Sequence, residues 1–305
     1  MKKLLFEITH RTAYDYVSDV SVSHHLLRLT PRDYPKQRCL EHQLNIEPPA
    51  TTVSERRDYF GNLTHFVSVE TTHKRFAITS RCRVAVSPVF IPEPLETPAW
   101  EVVRSSCRDD HTGQTLEAHE FTYASPLVPA PGEFAEYAMP SFPPRRPILD
   151  AVADLTRRIG EDFVFDPVAT TVTTPVADVL CQRRGVCQDL AHVQIACLRS
   201  QGLPARYVSG YLETEPSPDQ PKLRGVDASH AWVSFFCPGL GWIDVDPTNN
   251  CFPSLRHIAL AWGRDYDDIC PIRGVLIGGA DQTLKVAVDV VALGPVEAEV
   301  VESPD

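Results

Sequence analysis

Two hydrophobic periods divide this chain, and their order restricts the fold more than any other feature of the sequence. Over roughly the first 90 residues, apolar and polar side chains alternate in short runs: LLFEITHRTAYDY, HHLLRLTPRD, HQLNIEP, LTHFVSVETTH and FAITSRCRVAVS. They are rich in Val, Ile, Phe and Thr, with Pro- and Asp-containing breaks between them, the pattern of half-buried strands. DYFGN, Asp58 to Asn62, has the chemistry of a tight hairpin turn. From residue 147 the period lengthens. In PILDAVADLTRRIGEDF, Ile148, Val152, Leu155 and Ile159 share one helical face behind Pro147. TTPVADVLCQRRG repeats the pattern, with Thr174 as N-cap, Pro175 at the first helical position and Gly185 at the end. CQDLAHVQIACLRSQGLP reads as a third helix, closed by Gly202 and Pro204. Strand-like runs then return in ARYVSGYLE, HAWVSFFC, WIDVDPTNN, HIALAWGRDYDD, PIRGVLIGG and TLKVAVDVVAL, with EPSPDQPKLRG as a polar loop. Grouped strands followed by a helix-and-sheet segment indicate the α+β class.

The same reading divides the chain into three parts. Residues 1–92 form a small all-β sandwich domain, and residues 147–296 form the core. Residues 93–146 are a connection packed on that core, too rich in proline (SPVFIPEPLETP begins just before it, ASPLVPAPGEF and MPSFPPRRP follow) for long helices or central strands. The histidines of the first part, at 10, 24, 25, 42, 65 and 73, keep no ligand spacing and read as strand residues.

Composition removes several functions. Of 305 residues, 43% are hydrophobic and 23% charged, so the chain is globular; a net charge of −11 offers no basic footprint for nucleic acid. No apolar run approaches the roughly 18 residues of a membrane span. The run after Lys2 and Lys3 ends at Glu7, well short of the about 7–15 apolar residues of a secretory signal, so a cytoplasmic location is expected. The nine cysteines are odd in number, irregularly spaced and without a C-x-x-C pair, so zinc-ribbon and thioredoxin-type chemistry is not indicated.

One cysteine stands apart. Cys187 follows Gly185-Val186 at the start of the third helix, where unpaired N–H groups favour a thiolate and can hold an oxyanion. His230 opens the strand Ser229-His230-Ala231-Trp232, with one ring edge free for a cleft. The PGLG turn folds HAWVSFFC and WIDVDPT into a hairpin that sets Asp246 roughly opposite His230. Asp244 shares its face by period two and is the reserve acid; Asp246 before Pro247-Thr248 also reads as an Asx-type turn. Helix-tip Cys, strand-mouth His and cross-strand Asp follow the logic of cysteine acyl transfer.

GVCQDLAHV, SHAWVSFFCPGLGWIDVDPTNN and GRDYDDICPIRGV together resemble the transglutaminase-like superfamily, and more narrowly its bacterial members described as cysteine proteases. The resemblance covers nearly the whole chain, residues 1 to about 90 matching the family's β-rich N-terminal domain. It implies a papain-like core with nucleophile Cys187, base His230 and acid Asp246, a peptide or protein substrate, and no cofactor or metal in the chemistry. Gln188, Asp189 and Trp232 are candidate substrate-binding residues. Asp265, Tyr266 and Asp268 would brace the core or line the site. Two other readings compete: a non-catalytic binding module of the same fold, and a metal site of Cys187, His192 and His230. Because every catalytic candidate lies between 187 and 246, the chemistry is expected to belong to the core, with the β domain helping to bind substrate or covering apolar surface.

Overall fold

In the computed structural model, residues 2–110, 112–129, 132–214 and 229–296 are described. The polar loop EPSPDQPKLRG lies outside them. Five strands open the chain: β1 (Lys3–Leu27), β2 (Gln37–Glu47), β3 (Thr52–Arg57), β4 (Leu63–Val69) and β5 (His73–Val86). Three short helices follow, α1 (Trp100–Asp109), α2 (Gly113–His119) and α3 (Glu133–Ala138). Then come α4 (Ile148–Asp162), β6 (Val164–Phe165), α5 (Val176–Gln182), β7 (Arg184–Gly185) and α6 (Cys187–Ser200). The chain continues through β8 (Ala205–Leu212), β9 (Ser229–Cys237), β10 (Gly241–Val245), β11 (His257–Gly263), α7 (Tyr266–Ile269), β12 (Ile272–Gly278) and β13 (Gln282–Val296).

The length of β1, 25 residues, organises the first region. Its first half pairs with β5 on one edge and β13 on the other, and β2 pairs with β5. Its second half pairs with β4 and β12, and β3 pairs with β4. The ladder is irregular between Asp15 and Val20, so one strand passes from one layer to the other. Tyr16, Val20, Leu27, Val67, Val69, Phe76 and Ile78 are buried between the layers as a separate core. This fold differs from the sequence reading at its C-terminal end. Residues 272–296, assigned to the core by position, complete the N-terminal sheet instead, pairing with β1 from Leu27↔Ile272 to Lys3↔Val296. A period-two pattern marks a strand without naming its partner.

The connection at 93–146 is not an extended strap. Three short α-helices interrupt it, and Trp100, Val103, Cys107, Ala118, Phe134, Tyr137 and Ala138 sink into the same core as α4 and α6. α4 buries Ile148, Val152, Leu155 and Ile159, the face expected from their spacing; each such side chain is worth about 1.5–3 kcal/mol on burial. α6 is buried along nearly its whole length, from Asp189 to Arg199. A helix enclosed on all sides is the centre of a core. It packs on the antiparallel sheet β10-β9-β8-β11, with α3, α4 and α5 also against it.

β11 is an edge of that sheet, and the first region covers it with side chains and one backbone group, the Arg32 N–H at 3.1 Å from the Ala259 C=O, rather than a strand. Gln37 exchanges two 2.8 Å hydrogen bonds with the backbone N–H and C=O of Ala259. Asn62 does the same with Trp262, at 3.0 and 2.9 Å. Both amides are buried. An open edge is thereby satisfied without lengthening the sheet. No helix among the described residues is long and apolar enough to cross a membrane.

Candidate active site

The site begins at a helix tip. α5 ends on Arg183 rather than Gly185, and Arg183 takes the left-handed conformation at φ 55°. Gly185 serves another purpose: a Cβ there would stand 2.6 Å from Oδ2 of Asp189. That closeness lets Asp189 reach back from the first turn of α6. Its Oδ2 accepts the Val186 N–H at 2.8 Å and the Thr170 hydroxyl at 2.6 Å. The acidic residue thus fixes the helix start and favours the dipole. Cys187 is the first residue of the helix and half-buried. The first i→i−4 bond of the helix is made by Leu190 N–H to Val186 C=O, leaving the N–H groups of Cys187 and Gln188 at its open end.

β9 brings His230 to this tip. His230 Nε2 lies 2.7 Å from Asp246 Oδ2, and the Cys187 side chain is near enough to help hold the imidazole protonated. With Nε2 on the acid, Nδ1 is the ring nitrogen left for sulfur. The hairpin register pairs Val245 with Val233, so Asp246 continues opposite Trp232 and reaches His230 diagonally along the same face. Asp246 is fully buried, and its two oxygens divide the work. Oδ1 accepts the N–H of Thr248 at 2.9 Å and of Asn249 at 3.2 Å, the Asx turn legible in the sequence. Oδ2 accepts from His230, from Asn249 Nδ2 at 2.7 Å and from His257 Nε2 at 3.0 Å.

The electrostatics follow. Burial alone would push His230 down; its bond to Asp246 and the nearby Cys187 overcome this and raise it to about 10. Burial opposes ionisation of Asp246, but hydrogen bonds from His230, His257 and Asn249 hold it far below the usual carboxylate range. Burial raises the thiols of Cys39, Cys107, Cys237 and Cys251 to about 11 and Cys197 to about 12, and pushes Cys82 up further.

Other sequence candidates fall elsewhere. Asp244 pairs with Lys36 Nζ at 3.2 Å, toward the first region, and not with His230. Of the three substrate-binding candidates, Asp189 is buried in the helix cap and Trp232 is wholly buried. Gln188 alone keeps a partly exposed side chain, its Nε2 3.4 Å from Val172 O. Trp232 lies over Gly210, where a Cβ would stand 2.5 Å from the indole, and meets His257 edge-on at 5.3 Å. Asp265 caps α7 and accepts the Leu127 N–H at 2.8 Å, while Asp268 grips Arg264.

His192 is buried. Its Nε2 accepts the Tyr266 N–H at 3.2 Å, and burial, then Arg199, lowers it to about 3. The metal set of Cys187, His192 and His230 is therefore not assembled. Among the described residues, His230, Asp246 and His257 do place possible ligand atoms within 4.8 Å of one another. Both imidazoles, however, already close on one carboxylate oxygen at hydrogen-bond length, and ligands about 2 Å from a shared tetrahedral ion stand more than about 3 Å apart.

Asn249 and His257 were not among the sequence candidates. Asn249 had a local signal, three residues after an acid that also caps its own turn. His257 had none, because β11 lies at the far edge of the sheet from β10.

Comparison with known proteins bears on this arrangement. Residues 6–85 match the bacterial transglutaminase-like N-terminal region, and residues 142–247 match the transglutaminase-like superfamily. An uncharacterised protein of Mycobacterium tuberculosis is 39% identical over 295 residues, covering 94% of this chain and 92% of that one. A 108-residue stretch, 32% of this chain, is 37% identical to part of the protein-glutamine gamma-glutamyltransferase of Pseudomonas aeruginosa, covering 16% of that protein. The crystal structure of a candidate cysteine protease from Cytophaga hutchinsonii superposes with a TM-score of 0.78 at 20% identity. The superposition covers 99% of this chain and 95% of that one, a likeness of fold.

Proposed function

Because this chain belongs to the transglutaminase-like superfamily, a cysteine-dependent enzyme family, we propose that it catalyses acyl transfer from a peptide or carboxamide through a Cys187 thioester. The observation that carries the proposal is His230 set between the Cys187 side chain, which helps hold it protonated, and buried Asp246, 2.7 Å away. The Cys187 sulfur attacks the carbonyl carbon, and the N–H groups at the helix tip face the oxygen as it gains charge. The C–N bond breaks as His230 gives its proton to the leaving amine, ammonia if the substrate is a carboxamide. A proton retained on His230 up to about pH 10 is available for that step. Water or an amine then attacks the thioester, His230 accepts its proton, and the sulfur is released. Asp246 keeps the ring oriented and offsets its charge.

Water is the acceptor we favour. A transamidase must keep water from its acyl-enzyme, and hydrolysis demands no such exclusion. Hydrolysis and transamidation share every step up to the second nucleophile, so the products decide between them. Incubation with a peptide library and a fluorescent primary amine, read by mass spectrometry, should yield cleaved or deamidated peptides in excess of amine adducts. Both should disappear in Cys187→Ala. Adducts in excess would make the protein a transamidase; turnover that survives Cys187→Ala would overturn the proposal.

A further inference from the structure

Asp246 is held by more groups than its partnership with His230 requires. From β11, His257 brings Nε2 to 3.0 Å of the same Oδ2 that serves His230, and both His257 and Asp246 are buried. The other ring nitrogen, His257 Nδ1, is buried without a hydrogen-bond partner. The ring therefore occupies its place through one polar contact, the one to the acid. Packing fixes it there: the Trp232 indole stands edge-on at 5.3 Å, and the His230 ring centre is 5.9 Å away. β11 itself is clamped at Ala259, two residues on, by the buried amide of Gln37.

We infer that His257 is a positioning residue, which donates its Nε2 proton to Asp246 and thereby holds the carboxylate in the orientation His230 uses. One oxygen serving two imidazoles and one amide cannot rotate toward any single donor without breaking the others. The titratable groups around His230 are Cys187 at the tip of α6, Asp246 and Cys251 after β10, and His257 on β11. The inference deepens the proposed acyl-transfer reading and rests on it only in its kinetic arm.

That arm measures the rate of Cys187 alkylation by iodoacetamide against pH in the full chain. His257→Phe, which keeps a ring and loses the donor, should slow the reaction about tenfold at neutral pH, the scale typical of groups behind a functional side chain. It should also move the alkaline end of the profile to lower pH; His257→Gln, which keeps an N–H donor, should recover part of both. A folded His257→Phe protein with an unchanged rate and profile would overturn the inference. The second arm needs no variant. In the unsubstituted protein with ring-¹⁵N histidine, His257 should carry its proton on Nε2; a proton on Nδ1 alone would overturn the inference, because nothing would remain to donate. If Cys187 in the unsubstituted protein reacts no faster than the exposed Cys181, the acyl-transfer reading fails while the nitrogen spectrum still decides the role of His257.

Discussion

The N-terminal β region and the helix-and-sheet core both bury histidines, and the two burials have opposite consequences. His10, His25 and His42 in the first region are lowered to about 4, chiefly because burial penalises the imidazolium. Their partners are neutral or aromatic: His10 lies on Tyr211 and Thr12, His25 is stacked on Phe76 at 3.9 Å, and His42 meets Ser80. His230 in the core is also largely buried, yet it is raised to about 10 by a carboxylate and a cysteine. A count of histidines therefore carries no functional information here. Convergence on a buried charge does, because a charge removed from water demands partners and constrains everything that satisfies it.

The largest test of that contrast removes the charge. Asp246→Asn should leave the protein folded and reduce turnover by about three to four orders of magnitude, as loss of a histidine's orienting acid does elsewhere. His230 would then lie in an environment like that of His10. Asp244→Asn should be far milder for catalysis, because its partner is Lys36. A larger activity loss from Asp244→Asn, on folded protein, would exchange their roles.

Next in size is the boundary between the regions. Gln37→Leu orphans the Ala259 N–H, while the Ala259 C=O keeps the Arg32 N–H at 3.1 Å, and a buried orphaned group costs about 1–3 kcal/mol. Denaturant unfolding should show a loss of about 1–3 kcal/mol. A change within experimental error would mean that the edge of β11 does not depend on the first region.

The pH dependence of stability should separate the two sets of histidines. His230 is raised from 6.5 to about 10, so its contribution is complete below about pH 6.5 and is lost as pH rises through about 10. His10, His25 and His42 are lowered to about 4, so the native state binds fewer protons than the unfolded chain between these values. Their effect is a loss of stability as pH falls from about 6.5 to about 4. The urea midpoint should decline on both sides. His230→Gln should flatten the alkaline limb below pH 9, before the buried thiols titrate, and His10→Gln should relieve part of the acid limb. A variant that flattened the opposite limb would reverse the assignment.

Legibility in the sequence followed range. The features set within a helix turn or across one hairpin could be read: the face of α4, the tip position of Cys187, the pairing of β9 with β10, and the diagonal reach of Asp246 to His230. The features set between distant segments could not. β12 and β13 carry the same alternation as core strands, and only their pairing with β1 shows which sheet they complete. His257 reaches Asp246 across the four-stranded sheet because Gly210 leaves room for Trp232 beside it. The same range bears on whether the core can stand alone. A chain beginning at residue 93 would lose β1, the partner of both C-terminal strands, together with Gln37 and Asn62 on β11. Such a chain should not fold as a native core.

The proposed thiol chemistry is tested most directly by brief alkylation with iodoacetamide near neutral pH, followed by peptide mapping of all nine cysteines. Burial raises the thiols of Cys39, Cys82, Cys107, Cys197, Cys237 and Cys251, which should therefore label slowly. Cys181 is exposed and serves as the internal standard. Cys187 should label first, at least about tenfold faster than Cys181, and lose that lead in Asp246→Asn. Labelling led by Cys181, or a Cys187 lead untouched by Asp246→Asn, would contradict the proposal that His230 and Asp246 activate this sulfur.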